Sequence, residues 1–229
     1  MPTIYAISDL HLSFGVNKPM NIFGKKWDNY EQRIKENWER RVKSDDYVLL
    51  PGDLSWGLTL KESRKDFEFI NSLPGRKIIL KGNHDYYFST KSKLYNFFKE
   101  NNFDTIDILH NNSYVIGDYV VCGTRGWGKT ESGDATLDKK ITAREEIRLR
   151  LSLEEGKKTG KKIIVAMHYP PFYSKFCSIM KEYGVVLCIY GHLHGYGTFM
   201  IKEGIIDEIE YKMVSCDHTG FDVVKLFDF

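Results

Sequence analysis

Carboxylates, amides and imidazoles gather behind the apolar runs of this 229-residue chain. "TIYAIS" leads into Asp9-Leu10-His11, "DYVLLP" into Gly52-Asp53, and "KIILK" into Gly82-Asn83-His84-Asp85. "KIIVAM" leads into His168, and "VVLCIY" into Gly191-His192-Leu193-His194. The chain has 7 histidines, and only His110 and His218 fall outside these junctions; those two read as structural or surface residues. Taken singly, each fragment has an ordinary explanation: "DLH" as a helix N-cap, "GNHD" as a tight turn, "GHLH" as a turn carrying two histidines. Their recurrence is what points to chemistry. Carboxylate oxygen, amide oxygen and neutral imidazole together suit borderline divalent ions such as Mn, Fe, Zn or Ni. No cysteine joins the set, which argues against a closed structural zinc site. So many donors exceed what one ion takes but fit two ions sharing a carboxylate. Metal pairs roughly 3.5–4 Å apart serve in-line displacement at phosphorus.

The elements that must position these residues alternate. The apolar runs, with "YVVCG" among them, are four to six residues long and rich in Ile, Val and Tyr, as buried strands are. Helical periods lie between them: Tyr30, Ile34, Trp38 and Val42; then Phe67, Ile70 and Leu73; then Leu94, Phe97 and Phe98. A fourth, from about Leu137 to about Lys158, is marked by Ile147 and Leu151 and is so highly charged that it reads as a solvated helix. After Gly195, "GTFMIKEGIIDEIEYKMVSCD" and "FDVVKLF" read as consecutive antiparallel strands joined by short turns. Alternation of this kind predicts one α/β domain over residues 1–229 with a largely parallel sheet. Open α/β sheets bind ligands outside the carboxyl ends of their strands. The five junctions are therefore expected to converge.

In that order, D-x-H, GD, GNHD, H and GH-x-H resemble the signature of the calcineurin-like metallophosphoesterases, which are binuclear phosphohydrolases. The resemblance spans Asp9 to His194. It implies two packed mixed β-sheets flanked by helices, a four-layer α/β/β/α sandwich. It implies two divalent metal ions, one held by Asp9, His11 and His194 and one by Asn83, His168 and His192, with Asp53 bridging. It further implies a metal-activated water as nucleophile, His84 as the general acid that protonates the leaving oxygen, and Asp85 as the group that orients the His84 ring. The longer "GDxxDRG" form of the protein phosphatases is missing, because "LSWGL" follows Asp53. With Trp56, Tyr86, Tyr87 and Phe172 near the motifs and able to stack on a base, a phosphodiester is preferred as substrate. A nuclease, a phosphomonoesterase or a protein phosphatase of the same superfamily remains as the alternative.

"GTRGWGKT", Gly123–Thr130, fits the nucleotide-loop pattern G-x-x-x-x-G-K-[ST] letter for letter. A true phosphate loop opens a helix at its lysine. Here "ESGDATLDKK" follows, and helix onset is delayed to about Asp134 or Thr136, where an N-cap is available. The loop is instead expected to reach over the metal site, with Arg125 on substrate phosphate. "FGVNKPMNIFGKKW", with Lys25, Lys26 and Trp27, is a candidate lid.

Lys plus Arg number 33 against 31 Asp plus Glu, and a net charge of +2 gives no general argument for nucleic acid or acidic membranes. Cys122 and Cys188 lie inside apolar runs, and the 4 cysteines form no C-x-x-C pair, so buried free thiols are expected. "MPTIYAISDLHL" lacks a basic leader region, and no run approaches the roughly 20 apolar residues of a spanning helix. A cytoplasmic protein with no membrane partner is the expectation, its oligomeric state open.

Overall fold

The computed structural model describes residues 1–128 and 133–229, the side chains of Tyr173 and Tyr196 excepted. Two mixed sheets pack face to face. In the first, β1 (Thr3–Ala6), β2 (Tyr47–Leu50), β3 (Arg76–Ile79) and β4 (Ile106–Ile108) run parallel. The C-terminal strand β11 (Val224–Asp228) closes that sheet antiparallel to β1. In the second, β6 (Tyr119–Thr124), β7 (Lys162–Met167), β8 (Val185–Tyr190) and β10 (Ile209–Met213) are parallel. The antiparallel strands β5 (Tyr114–Ile116) and β9 (Gly204–Ile206) form its edges.

The strands read as unbroken apolar runs because both faces of each sheet are covered. Ile4, Ala6, Leu49 and Ile78 of one sheet meet Ile164, Ala166, Leu187 and Ile189 of the other in the layer between them. The alternate residues Tyr5, Val48, Leu50 and Ile79 face α1 (Tyr30–Arg41), α2 (Arg64–Ser72) and α3 (Lys91–Glu100). Val165, Met167 and Cys188 face α4 (Ala135–Lys157) and α5 (Phe176–Glu182). Helix, sheet, sheet, helix is the layering expected. The spacing of Tyr30, Ile34 and Trp38 buries one stripe of α1, and the Trp38 indole donates to the Pro74 carbonyl at 2.9 Å. Burying such a side chain is worth about 1.5–3 kcal/mol.

Three local expectations fail. The face of α4 is turned: Ile147 is 60% and Leu151 48% exposed, while Glu145, Leu149, Ser152, Leu153 and Gly156 are buried. The highly charged helix thus docks on β6 through a mixed stripe that its apolar residues do not mark. The C-terminal strands are not consecutive partners. β10 joins β8 in parallel, whereas β11 crosses to the other sheet, and Gly195–Met200 is a 3-10 helix. The short elements β4, β5 and α5 have no clear period and escape the sequence reading altogether.

The two sheets touch where the site lies. Ser8, just past β1, and Ser215, just past β10, form an isolated parallel bridge, with Ser8 N–H donating to Val214 O at 2.8 Å. The carboxyl ends of β1, β2, β3, β7 and β8 therefore open on one cleft.

Candidate metal centre

At three of the five junctions, those after β1, β2 and β8, the loop is folded so tightly that a polar residue takes an unusual backbone. Asp9, His11, Asp53 and His192 all have positive φ, at 57°, 46°, 54° and 74°. Such conformations cost a non-glycine residue of order 1–3 kcal/mol and concentrate where function demands them. The loops are laced together by Asp9 N–H to Gly52 O at 2.9 Å and His11 N–H to Asp53 O at 3.0 Å. Two motif glycines are there for room. A Cβ on Gly82 would sit 2.0 Å from Asp53 Oδ1, and one on Gly191 would sit 2.3 Å from Asp9 Oδ2. A side chain at either position would displace a carboxylate.

The structure brings the donor residues into two neighbouring sets. Donor atoms of Asp9, His11 and His194 lie within 4.8 Å of one another, and so do those of Asp53, His168 and His192. Asn83 joins the second set: its Oδ1 is 2.6 Å from His168 Nε2 and 2.9 Å from His192 Nδ1. Asp53 Oδ1 accepts the His84 N–H at 2.8 Å, leaving Oδ2 3.4 Å from His168 Nε2.

Surrounding groups fix how each ring is presented. His168 Nδ1 lies 3.0 Å from the Pro51 carbonyl, which can only accept, so Nδ1 carries the proton and Nε2 turns to the cleft. His194 is oriented likewise: Asp217 Oδ1 is 2.7 Å from its Nδ1, while its Nε2 is 3.1 Å from Asp9 Oδ1. Asp9 Oδ2 accepts from the Ser8 and Ser215 hydroxyls. Buried His11 Nδ1 has no hydrogen-bond partner among the described residues. A buried imidazole that leaves a nitrogen without a partner and feels the Asp53 and Asp9 carboxylates fits a place among cation ligands.

Electrostatics favour positive charge here. Burial alone would lower His194 and His168, yet Asp9 and Asp217 hold the first up at about 10 and Asp53 holds the second up at about 9. Burial pushes His11 down to about 4, and burial with the charge of His168 pushes His192 down to about 3. Burial opposes ionisation of Asp9, but His194 and the other imidazoles keep its carboxyl well below the usual range. Three carboxylates thus hold protons on two imidazoles where divalent ions would replace them. Carboxylate, amide and imidazole together, with tautomers set from behind, fit two borderline divalent ions.

The sequence model of the calcineurin-like phosphoesterases matches residues 2–196. The chain belongs to this family. Among solved structures, it is similar to a protein of unknown function from Aquifex aeolicus, at 19% identity and a TM-score of 0.52 over 98% of this chain and 96% of that one. It is also similar to a phosphopantetheinyl hydrolase from Mycobacterium tuberculosis, at 13% identity and a TM-score of 0.60 over 100% and 96% of the two chains. At such identities the likeness is one of fold. No curated protein matches the sequence.

Within this phosphoesterase, two residues do not stand where the motifs imply. Asp85 does not orient His84. Its carboxylate accepts the N–H groups of Asp53, Leu54 and Gly82 at 2.7–2.9 Å and the Tyr87 hydroxyl at 2.9 Å, which occupies both oxygens. Asp85 therefore clamps the GD and GNHD loops together. Arg125 is not a mobile arm over the metals. Its guanidinium lies 4.8 Å from the Trp127 ring and 3.9 Å from Glu145, and it lines a separate cavity beside α4. His84 itself is half-buried, its ring centroid 4.6 Å from Trp56 and 5.7 Å from His11. Burial holds its pKa below the ordinary imidazole value.

The cleft outside the first set has a volume of about 320 Å³. His11, His84 and His194 form its floor, and Met20, Phe23, Lys26, Trp27 and Trp56 form its walls. Most of those walls come from the segment suspected as a lid, which folds as two 3-10 turns, Met20–Phe23 and Lys25–Trp27. Trp56 stacks on His11 at 4.7 Å and 21°. Tyr87 is buried on Asp85 and Phe172 packs against Tyr190 and Tyr211, so neither is placed for a substrate base. The nucleotide-loop alternative loses its helix: α4 starts only at Ala135, with Asp134 capping the N–H groups of Thr136 and Leu137. Lys129 and Thr130 lie outside the described residues. Asp217, Ser215 and the Pro51 carbonyl escape the sequence reading. Asp217 stands in "SCDH" with no motif around it; only its contact with His194 reveals it.

Proposed function

We propose that the chain is a binuclear metal-dependent phosphohydrolase, with Asp9, His11 and His194 on one ion, Asn83, His168 and His192 on the other, and Asp53 shared. The observation that carries this reading is the convergence of two donor sets from both sheets, each compact enough for one ion. Bound there, two divalent ions would supply Lewis acidity towards the phosphoryl oxygens and an activated water. The protein's own part is positioning. Asp217 and the Pro51 carbonyl hold protons on the outward nitrogens of His194 and His168, keeping the inward nitrogens free as ligands. His84 stands at the cleft floor, unclaimed by either set, and delivers a proton to the leaving oxygen.

A phosphodiester is the preferred substrate class. The cleft walls offer Trp27, Trp56, Met20 and Phe23 to a second organic group, which a monoester would leave unmet. The alternatives within the family, a monoesterase, a protein phosphatase or a nuclease, differ in what those walls would hold. Four free thiols, three of them buried, suit a reducing compartment such as the cytoplasm. No helix of the described residues is long and apolar enough to cross a membrane. The test loads the protein with Mn and compares kcat/KM for p-nitrophenyl phosphate, bis(p-nitrophenyl) phosphate and thymidine 5′-monophosphate p-nitrophenyl ester. Faster turnover of the diesters supports the assignment; turnover of the monoester alone assigns a monoesterase.

A further inference from the structure

A second cavity, of about 270 Å³, lies beside the metal centre, and the family motifs contribute nothing to it. Its walls come from the end of β3, the start of α3, the end of β6 and the middle of α4. Five cationic side chains face it: Lys81, Lys91, Arg125, Arg144 and Arg148. Against them stands one carboxylate. Glu145 is buried, spends one oxygen on the Thr124 hydroxyl at 2.6 Å, and offers the other to Arg148 at 2.7 Å. Arg144 and Arg125 are left at 3.8 and 3.9 Å from that same oxygen, beyond hydrogen-bond reach. Lys81 donates to a neutral acceptor, the Phe88 carbonyl, at 2.6 Å. Arg125 Nε is buried with no partner among the described residues. No other carboxylate pairs with these five cations among the described residues.

Packing several cations around one anion in a partly enclosed space is unfavourable unless another anion completes it. The cavity is smaller than ordinary sites for drug-sized molecules, roughly 300–1,000 Å³. An ion rather than a ring system suits it. Forked guanidinium donors from two elements match tetrahedral oxyanions, which they bind through paired, charge-assisted hydrogen bonds. The N-terminal turn of α3 at Thr90 and Lys91 adds the positive end of a helix dipole. The His110 ring completes the lining as a hydrogen-bonding group, its pKa held low by burial together with Arg148 and Lys91.

The cavity also adjoins the reaction site. Lys81 stands two residues before Asn83, and the Arg125 carbonyl accepts the backbone N–H groups of His168 and Tyr169 at 3.2 and 2.9 Å. We propose that this cavity is a phosphate-binding subsite, filled by a phosphate that is not the one attacked at the metals. Two sources share that chemistry: a second phosphate carried by the substrate, or free orthophosphate. The first source rests on the phosphohydrolase reading; binding of the anion does not.

Two measurements test the proposal on metal-loaded protein. Crystals soaked in tungstate are expected to show an anomalous peak between Lys81, Arg125 and Arg148, separate from any peak on the metals. Equilibrium dialysis with radiolabelled orthophosphate should find, besides any phosphate on the metals, one site that weakens about tenfold or more in Arg148→Gln, the loss of one charge-assisted partner. Arg144→Gln serves as the second variant should Arg148→Gln fold poorly. The source is read from kcat/KM for the 5′-(p-nitrophenyl) diester of thymidine 3′,5′-bisphosphate, which carries a second phosphate, over thymidine 5′-monophosphate p-nitrophenyl ester, which does not. A ratio of about ten or more that collapses in Arg148→Gln assigns the second substrate phosphate; a ratio near one, with orthophosphate still bound in the cavity, assigns the free ion. Absence of the tungsten peak, with orthophosphate binding equal in wild type and both variants, overturns the proposal. That result would leave the metal-dependent hydrolysis untouched, so the two readings fail separately.

Discussion

Removing the Asp217 carboxylate should weaken one metal site and spare the other. Asp217 is a member of neither donor set. It lies behind His194, Oδ1 at 2.7 Å from Nδ1, with its side chain only 2% exposed and Lys26 as its other partner. Asp217→Ala leaves the His194 N–H without an acceptor, frees the ring to rotate and makes Nε2 a poorer donor. Loss of such an outer partner typically costs 10–100-fold in metal affinity, about 1.4–2.7 kcal/mol. Asp217→Asn keeps an oxygen for the N–H but not the charge, and should lose less. The ion held by Asp53, Asn83, His168 and His192 keeps its own support in the Pro51 carbonyl, and because Asp217 contacts none of those four residues its affinity should fall clearly less, the shared Asp53 being the one route by which the loss reaches it. Calorimetric titration of the metal-free protein with Mn resolves the two steps. Equal weakening of both steps, or none of either, would refute the assignment of His194 and Asp217 to a single site.

Three further outcomes follow from individual contacts. Asp85→Ala orphans the buried N–H groups of Asp53, Leu54 and Gly82 at about 1–3 kcal/mol each; a total near 4 kcal/mol lowers Tm by roughly 8–16 °C, measured by calorimetry, and a drop under 2 °C would deny the clamp. His84→Asn should retain both metals yet lose about 10²–10⁴-fold on alkyl leaving groups and less on p-nitrophenolate, and an equal loss on both would contradict a proton donor. Lys77 is fully buried among the Leu73, Gly75 and Asn71 carbonyls, and burial pushes it down to about 8. Its folded value lies below the unfolded 10.5, so its contribution is present above pH 10.5 and lost as pH falls through 8. Wild-type stability measured against Lys77→Met in urea should therefore rise by about 3 kcal/mol between those limits, and a flat difference would show that the carbonyls keep the ammonium charged.

The donor residues were legible because strand and site obey different rules. A strand buried on both faces is apolar without a break, so Asp9, Asp53, Asn83, His168 and His192 stand out as the first carboxylate, amide or imidazole after one. The apolar runs alone implied a largely parallel sheet; the two packed sheets were implied by the resemblance to the family. What lay behind the donors was not, because Asp217 and the Pro51 carbonyl act through contacts between segments far apart in sequence. Asp85 was placed but misread: the resemblance implied a partner for His84, whereas three loop amides had a stronger claim on its carboxylate. Glu145 misled in the opposite direction. A charge on a charged helix reads as solvated, yet it is buried against Thr124 and Arg148, and Ile147 and Leu151 are turned outward to accommodate it.

The most direct test of the two-metal account follows bound metal and hydrolysis on one sample. Protein stripped with EDTA is titrated with Mn while bound metal is counted and bis(p-nitrophenyl) phosphate turnover is recorded. Activity should be absent without metal and appear as the chain fills to two ions, and Asp53→Ala should lose metal and turnover together. Turnover that survives EDTA, or a chain that saturates at one ion or holds two without hydrolysing any phosphoester, would contradict it.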